Sequence, residues 1–309
     1  MSVWLIPDGL DGERIDSAAA RMTGLTRSRV ADLIAEGGVS VDFVTVTKAS
    51  MKVKAGAMLD IDMSEPVRIA KVVPHEVEGM SIVYDDADIV VVDKPAGVAA
   101  HPSLGWDGPD VVSHLAAVGF RISTSGAAER QGIVHRLDVG TSGLMVVAKS
   151  EYAYSCLKQA FRDRSVDKVY HALVQGHPDP FSGTIDAPIG RHRTHEWKFT
   201  VRRDGRASRT HYTTIEAMRS TTLVEVHLET GRTHQIRVHF SALGHPCVGD
   251  PLYGCDPTLA RRLGLERQWL HAAELGFVHP GSGEYVHFVS EPSEDLRTAL
   301  TIVQTENES

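Results

Sequence analysis

Cysteine is scarce in this 309-residue chain: Cys156, Cys247 and Cys255 are the only three, and none forms a Cys-x-x-Cys pair. An odd, scattered set excludes a disulfide framework and offers no zinc knuckle, so reduced thiols are expected. Aromatic residues make up only 6%, and no apolar run approaches the roughly 20 residues that cross a bilayer. No membrane partner is therefore expected. The chain does not open on a basic stretch followed by an apolar one, so no signal peptide is read and the expected location is cytoplasmic. No internal repeat is visible. Positive charge is also short, with 32 Lys and Arg against 40 Asp and Glu and a net charge of -8. Bulk charge cannot then drive nucleic-acid binding, although local patches still can, because salt screens charges beyond about 10 Å. What is present, 42% hydrophobic and 23% charged residues, suffices for a sizeable core and two domains.

The most informative segment runs from Gly132 to Lys149, a polar, Gly-punctuated loop between apolar stretches. Asp138 is preceded by His135 and Arg136 and followed by Gly140, Thr141, Ser142 and Gly143. Small residues let the backbone turn sharply and a large ligand come close. Leu144 to Val147 reads as a buried strand that fixes the loop. His-Arg-x-Asp has the look of a kinase catalytic loop, but the Asp comes one place late, no Asn follows at the required spacing, and no Gly-rich phosphate loop precedes it. An Asp among glycines can also simply cap a turn.

Two stretches run against the overall charge. Arg191 to Arg209 carries seven basic residues (Arg191, Arg193, Lys198, Arg202, Arg203, Arg206, Arg209) against Glu196 and Asp204, with Trp197 and Phe199 interleaved. This reads as an RNA-facing hairpin or as a solvated basic loop. Arg21 to Lys54 carries a weaker surplus, six basic against three acidic residues.

The first sixty residues form a unit. Ile15, Ala18, Ala19 and Met22 recur at helical spacing; Thr26 is placed to cap a second helix with Val30, Leu33 and Ile34 on its apolar face and Gly37 and Gly38 at its end. Short β signals follow at Val39 to Asp42, Val44 to Thr47 and Met58 to Met63. Pro66, Pro74 and the alternation from Val67 to Val72 suggest an extended linker. The expected division is 1–62, a linker at 63–79, and 80–309.

Beyond the linker, strands are expected at Ile82 to Tyr84, Ile89 to Asp93, Gly143 to Ala148, Val166 to Val174, Thr210 to Ala217, Leu223 to Leu228 and Leu275 to His279. Helices are expected at Asp110 to Val118, Glu151 to Arg162, Thr233 to Leu243 and Ser293 to Val303. Strands outnumber helices without a regular βαβ alternation, which predicts an α+β fold with a mixed, largely antiparallel sheet. His234 and His239 are five apart, off the spacing of helical zinc pairs, and no acidic ligand sits among them, so no metal is expected.

His135-Arg136-Leu137-Asp138 with Thr141-Ser142-Gly143 resembles the signature of the RluA-type pseudouridine synthases. Further segments match in the family's order: Asp93-Lys94-Pro95-Ala96-Gly97-Val98 with His101-Pro102; Lys168 to Val174; Glu229 to His239; Gly244-His245-Pro246 with Val248-Gly249-Asp250 and Tyr253-Gly254; and Leu270-His271-Ala272. Ordered motifs over roughly residues 80 to 290 are far more specific than any one alone. The N-terminal unit resembles an S4 RNA-binding domain through Arg14-Ile15-Asp16, Ser28-Arg29 and the run from Leu33 to Val41, the arrangement of the RluC and RluD branch. It departs where the family shows Asn-Gly, since Asp42-Phe43 stands there, which puts the tightness of that hairpin in question.

The resemblance implies a pseudouridine synthase fold with a cleft across the sheet and an RNA substrate, ribosomal RNA of the large subunit first and transfer RNA second. Asp138 would be the catalytic carboxylate, Arg237 its cation, and Tyr170 the ring that stacks on uracil and assists the proton leaving C5. Arg136 would brace the RNA around the flipped base, His135 would order the loop, and Leu270 would wall the uracil. Arg232 would contact RNA. Arg27 and Arg29 are candidate phosphate contacts or plain surface charges. Isomerising uridine exchanges no electrons and imports no group, so no cofactor is expected. No protein partner is implied, and a monomer is expected. Two other classes stay open: a non-catalytic RNA-binding protein, and a glycoside or nucleoside hydrolase. The second needs two carboxylates flanking the bond, and no second one presents itself in the matching motifs.

Overall fold

The computed structural model describes residues 2–62, 72–103, 106–126, 130–195 and 197–308, and the chain divides into two compact units, 1–69 and 70–309. Most of the expected linker, together with Met63 and Glu196, lies outside the described residues.

The first unit contains β1 (Ser2–Leu5), α1 (Ile15–Thr23), α2 (Arg27–Ala35), β2 (Val39–Val41), β3 (Val44–Thr45) and β4 (Met58–Ile61). Thr26 caps α2 as its sequence position requires, its side chain accepting from the Arg29 amide. Ile15, Ala18, Ala19, Val30, Leu33 and Ile34 pack on Leu59 and Ile61 of an antiparallel sheet of order β1-β4-β2-β3. The β2–β3 hairpin is tight despite lacking Asn-Gly. Asp42 and Phe43 both adopt positive φ, 49° and 64°, the conformation of a two-residue hairpin turn. The Asp42 carboxylate accepts the Met58 amide at 2.8 Å and so compensates for a backbone that L-residues disfavour.

The second unit runs β5 (Ser81–Asp85), β6 (Ile89–Lys94), α3 (Val111–Ala117), β7 (Ser142–Ala148), α4 (Glu151–Asp163), β8 (Asp167–Gln175), β9 (Ser182–Asp186), β10 (Ile189–Arg191), β11 (Phe199–Val201), β12 (Arg209–Ala217), β13 (Thr221–Leu228), α5 (Gln235–Ala242), α6 (Pro257–Arg262), β14 (Leu270–Val278), β15 (Tyr285–Val289) and α7 (Glu294–Glu308). Nine strands form one sheet of order β5-β6-β7-β14-β8-β13-β12-β9, with β15 paired to β14. Every pairing is antiparallel except β7 with β14. The basic stretch forms the separate β10–β11 hairpin.

All seven residues of β7 are buried because both faces are covered. Leu144, Val146 and Ala148 pack with Ala153 and Leu157 of α4. Met145 and Val147 join the cluster of Val111, Val112 and Leu115 of α3. A continuous apolar run is the pattern that such double coverage demands. Strands β1, β9 and β15 and helix α6 were not expected from the sequence.

Candidate active site

Asp138 sits in the turn that feeds β7. Its carbonyl accepts the Thr141 amide at 3.0 Å, and the Val139 carbonyl accepts the Gly97 amide at 2.8 Å. Arg267 donates to the Gly140 carbonyl and Gln268 to the Thr141 hydroxyl, each at 3.1 Å. The turn is thereby tied to the segment that enters β14. Gly143 makes this possible: at φ 114° its missing Cβ would lie 2.3 Å from the Ala272 carbonyl oxygen.

The expected Asp138 and Arg237 meet across 99 residues, Arg237 Nη1 donating to Asp138 Oδ2 at 3.2 Å. Arg237 also grips Asp250 with two bonds of 2.7 and 2.9 Å. Asp250 is thus a second carboxylate that the sequence reading missed, although it lay in a matched motif. Its side chain is fully buried, whereas that of Asp138 is 17% exposed, and it also accepts the Leu252 and Tyr253 amides. It braces the guanidinium from behind and cannot flank a substrate bond as a hydrolase would need. Burial opposes the Arg237 charge, but Asp250 and then Asp138 outweigh it and raise its pKa.

Tyr170 of β8 and Leu270 of β14 line the same cleft, which has a volume of about 570 Å³. Burial, and then the Asp138 charge, push the Tyr170 phenol up, so it stays protonated. Seven further cations line the space, Arg130, Arg136, Lys158, Arg162, Arg164, Lys168 and Arg232, against Asp138 and Glu229. A chain of net charge -8 has gathered positive charge where an RNA backbone would enter. Arg136 is exposed and Arg232 half-buried, its Nε donating to the Ala207 carbonyl at 3.2 Å. His135 orders the loop: its Nε2 accepts the Val146 amide at 3.0 Å, and its ring stacks on Phe161 at 4.6 Å. Burial, and then Lys168, lower its pKa to about 3, leaving it neutral.

Arg27 and Arg29 lie in the first unit. Arg27 pairs with Asp16 at 3.0 Å and Arg29 with Glu36 at 3.5 Å.

Lys94 and His234 also bear on the site. Lys94 is fully buried and its ammonium meets the carbonyls of Pro95, Val98 and Val139 at 3.0, 2.8 and 3.4 Å. Burial lowers its pKa to about 7, yet three carbonyl acceptors require the three donors of the charged form. His234 Nε2 stands 3.9 Å from Asp138 Oδ2, and its Nδ1 is 2.7 Å from the Tyr253 hydroxyl. The signal for Lys94 and Asp250 was an ionisable residue next to a run of small or apolar ones, where burial forces pairing. Among the described residues no group of three or more His, Cys, Asp or Glu is arranged to hold a metal ion, and no helix is long and apolar enough to cross a membrane.

A family model described as RNA pseudouridylate synthase matches residues 88–242, and one described as S4 domain matches residues 13–59. An uncharacterized RNA pseudouridine synthase of Mycobacterium bovis is 60% identical, covering 97% of each chain. A ribosomal large subunit pseudouridine synthase D of Zymomonas mobilis is 39% identical over 96% of this chain and 95% of its own. Among solved structures, human RNA Pseudouridylate Synthase Domain Containing 1 is 32% identical with a TM-score of 0.56, covering 71% of this chain and 86% of that one.

Proposed function

The chain belongs to the RNA pseudouridylate synthase family and is an RNA pseudouridine synthase, an isomerase, and from that premise we propose that it converts uridine in large-subunit ribosomal RNA with Asp138 as the reacting carboxylate. The observation that carries the catalytic assignment is the Asp138–Arg237 pair, which opens onto the same cleft as Tyr170. Arg237 supplies the cation that a carboxylate in a partly dry cleft needs, and Asp250 fixes its angle. Asp138 either attacks C1′ or removes the C2′ proton, and both routes break the N1–C1′ bond while the uracil stays held. Tyr170 lies flat against the freed base. As a neutral phenol it can take the C5 proton only while releasing its own, so it relays rather than stores charge. Leu270 closes the apolar side, Arg136 braces the RNA left by the flipped base, and Arg232 meets the backbone at the rim.

The ribosomal substrate rests on the first unit and on the relatives. Residues 1–62, with Arg27 and Arg29 at the head of α2, act as an S4-type RNA grip, joined through 63–79 to the catalytic unit at 80–309. Linked sites gain affinity when one RNA reaches both, which a large folded RNA does best. Relatives from Zymomonas mobilis and Pseudomonas aeruginosa carry the name ribosomal large subunit pseudouridine synthase D. The test is a map of pseudouridines in RNA from cells lacking the protein, complemented with wild type or Asp138→Asn. A ribosomal pseudouridine should vanish and return with wild type only. Loss confined to transfer RNA overturns the substrate, and rescue by Asp138→Asn overturns the residue.

A further inference from the structure

His234 occupies a backbone conformation that its residue type disfavours. It stands at φ 56°, ψ 22° as the N-cap of α5 and makes no side-chain cap bond there. Such local strain persists where the surroundings enforce it and clusters at functional sites. Here the enforcement is visible. The imidazole is held edge-on by Phe199 and Tyr253, with ring centroids at 5.7 and 5.6 Å.

Its tautomer follows from the neighbours. The Tyr253 oxygen accepts the Phe199 amide at 3.1 Å, so its own proton is free to go to His234 Nδ1 at 2.7 Å. Burial, partly offset by Asp138, lowers the His234 pKa, which favours the neutral ring. With Nδ1 accepting, the ring proton sits on Nε2. This N–H stands 3.9 Å from Asp138 Oδ2, too far for a direct bond, and both side chains are 17% exposed to the cleft. The gap therefore presents one donor and one acceptor side by side. A hydroxyl is the group that matches such a pair, since it accepts with a lone pair and donates with its proton.

Building on the reading of Asp138 as the carboxylate that meets the ribose, we propose that His234 is a substrate-binding residue whose Nε2–H donates to the 2′-hydroxyl of the target uridine, while the Asp138 carboxylate accepts a hydrogen bond from that hydroxyl. The clamp sets the sugar so that C1′ and C2′ face the carboxylate, and it lets the site distinguish ribose from deoxyribose at the reacting nucleotide. Tyr253 acts on the substrate only through the imidazole and is a positioning residue.

The test uses the full-length protein and a fragment of large-subunit ribosomal RNA containing the uridine that wild type converts, synthesised with ribose or 2′-deoxyribose at that nucleotide alone. Wild type should bind the deoxy fragment about 30-fold more weakly, the size of two hydrogen bonds. His234→Gly, which tolerates the left-handed backbone, keeps only the hydroxyl's bond to Asp138, so its deoxy penalty should fall to about fivefold. Tyr253→Phe leaves the ring in place but frees its tautomer, so its ratio should fall between the two, and it serves as the second variant if His234→Gly does not fold. An equal deoxy penalty in wild type and in the folded variants overturns the clamp. Absence of conversion by wild type on any ribosomal fragment instead overturns the parent reading.

Discussion

Arg237→Met separates the two duties of the guanidinium. Arg237 and Asp250 expose 5% and 0% of their side chains, so removing the cation leaves an uncompensated buried carboxylate. Breaking a buried pair from one side costs about 3 to 5 kcal/mol. For a unit of this size, that corresponds to a fall in Tm of roughly 6 to 20 °C. Adding Asp250→Asn removes the stranded charge yet keeps an oxygen for the Leu252 and Tyr253 amides, bonds of 2.9 and 3.2 Å. The double variant should therefore regain part of the lost Tm. Neither variant should regain pseudouridine formation, because Asp138 lacks its cation in both. Differential scanning fluorimetry and a single-turnover tritium-release assay read the two effects separately. A Tm within about 2 °C of wild type for Arg237→Met, or a further fall on adding Asp250→Asn, refutes the reasoning.

Asp138→Asn should keep wild-type Tm and RNA affinity while abolishing turnover, a result read by pairing filter binding with tritium release. His135 gives a pH dependence. Its pKa is about 3 in the fold against about 6.5 unfolded, so the folded state binds fewer protons, and stability that is complete above pH 6.5 is lost as pH falls toward 3. Urea titrations at pH 7 and pH 5 should show His135→Gln losing less stability than wild type, by about 1 to 2 kcal/mol. Gly143→Ala drives a methyl into the β14 backbone and should cost several kcal/mol, visible as loss of soluble, cooperatively melting protein. Deleting residues 1–62 should weaken modification of whole ribosomal RNA strongly and that of a minimal stem-loop little, as measured by initial rates on the two substrates.

The sequence disclosed whatever a local pattern can encode. The unbroken apolar run of β7 announced a strand covered on both faces, and the Thr26 cap marked the start of α2. Asp138, Tyr170 and Arg237 came from ordered motifs, and the fold brings all three to one cleft. What stayed hidden depends on partners remote in sequence. Asp250 looks like any loop acid until Arg237 of α5 lies against it, and nothing near His234 in the chain predicts the Tyr253 hydroxyl on its ring. Strands β9 and β15 lie at the margins of the sheet; each is five residues long, and with only Ile185 of β9 and no residue of β15 buried, neither carries the run of core residues that makes a strand visible. The Asp42-Phe43 turn is tight through a side-chain bond to Met58, a contact that the dipeptide does not advertise.

The position of β14 has a consequence for how the enzyme comes into being. This strand joins β5-β6-β7, whose leading turn carries Asp138, to β8-β13-β12-β9, after which α5 brings Arg237. Its link to β7 is a two-pair parallel ladder, Ser142 with His271 and Gly143 with Ala272. A growing chain emerges N-terminus first at about 5 to 20 residues per second, and non-local strand pairing is slow because loop closure precedes its reward. The two halves of the sheet can therefore lock together only after residues 270–278 have been made. Until then the nascent polypeptide can already carry its first folded unit while its cleft is still in two pieces. Catalytic competence therefore waits for the synthesis of β14, by the order of strands along the chain.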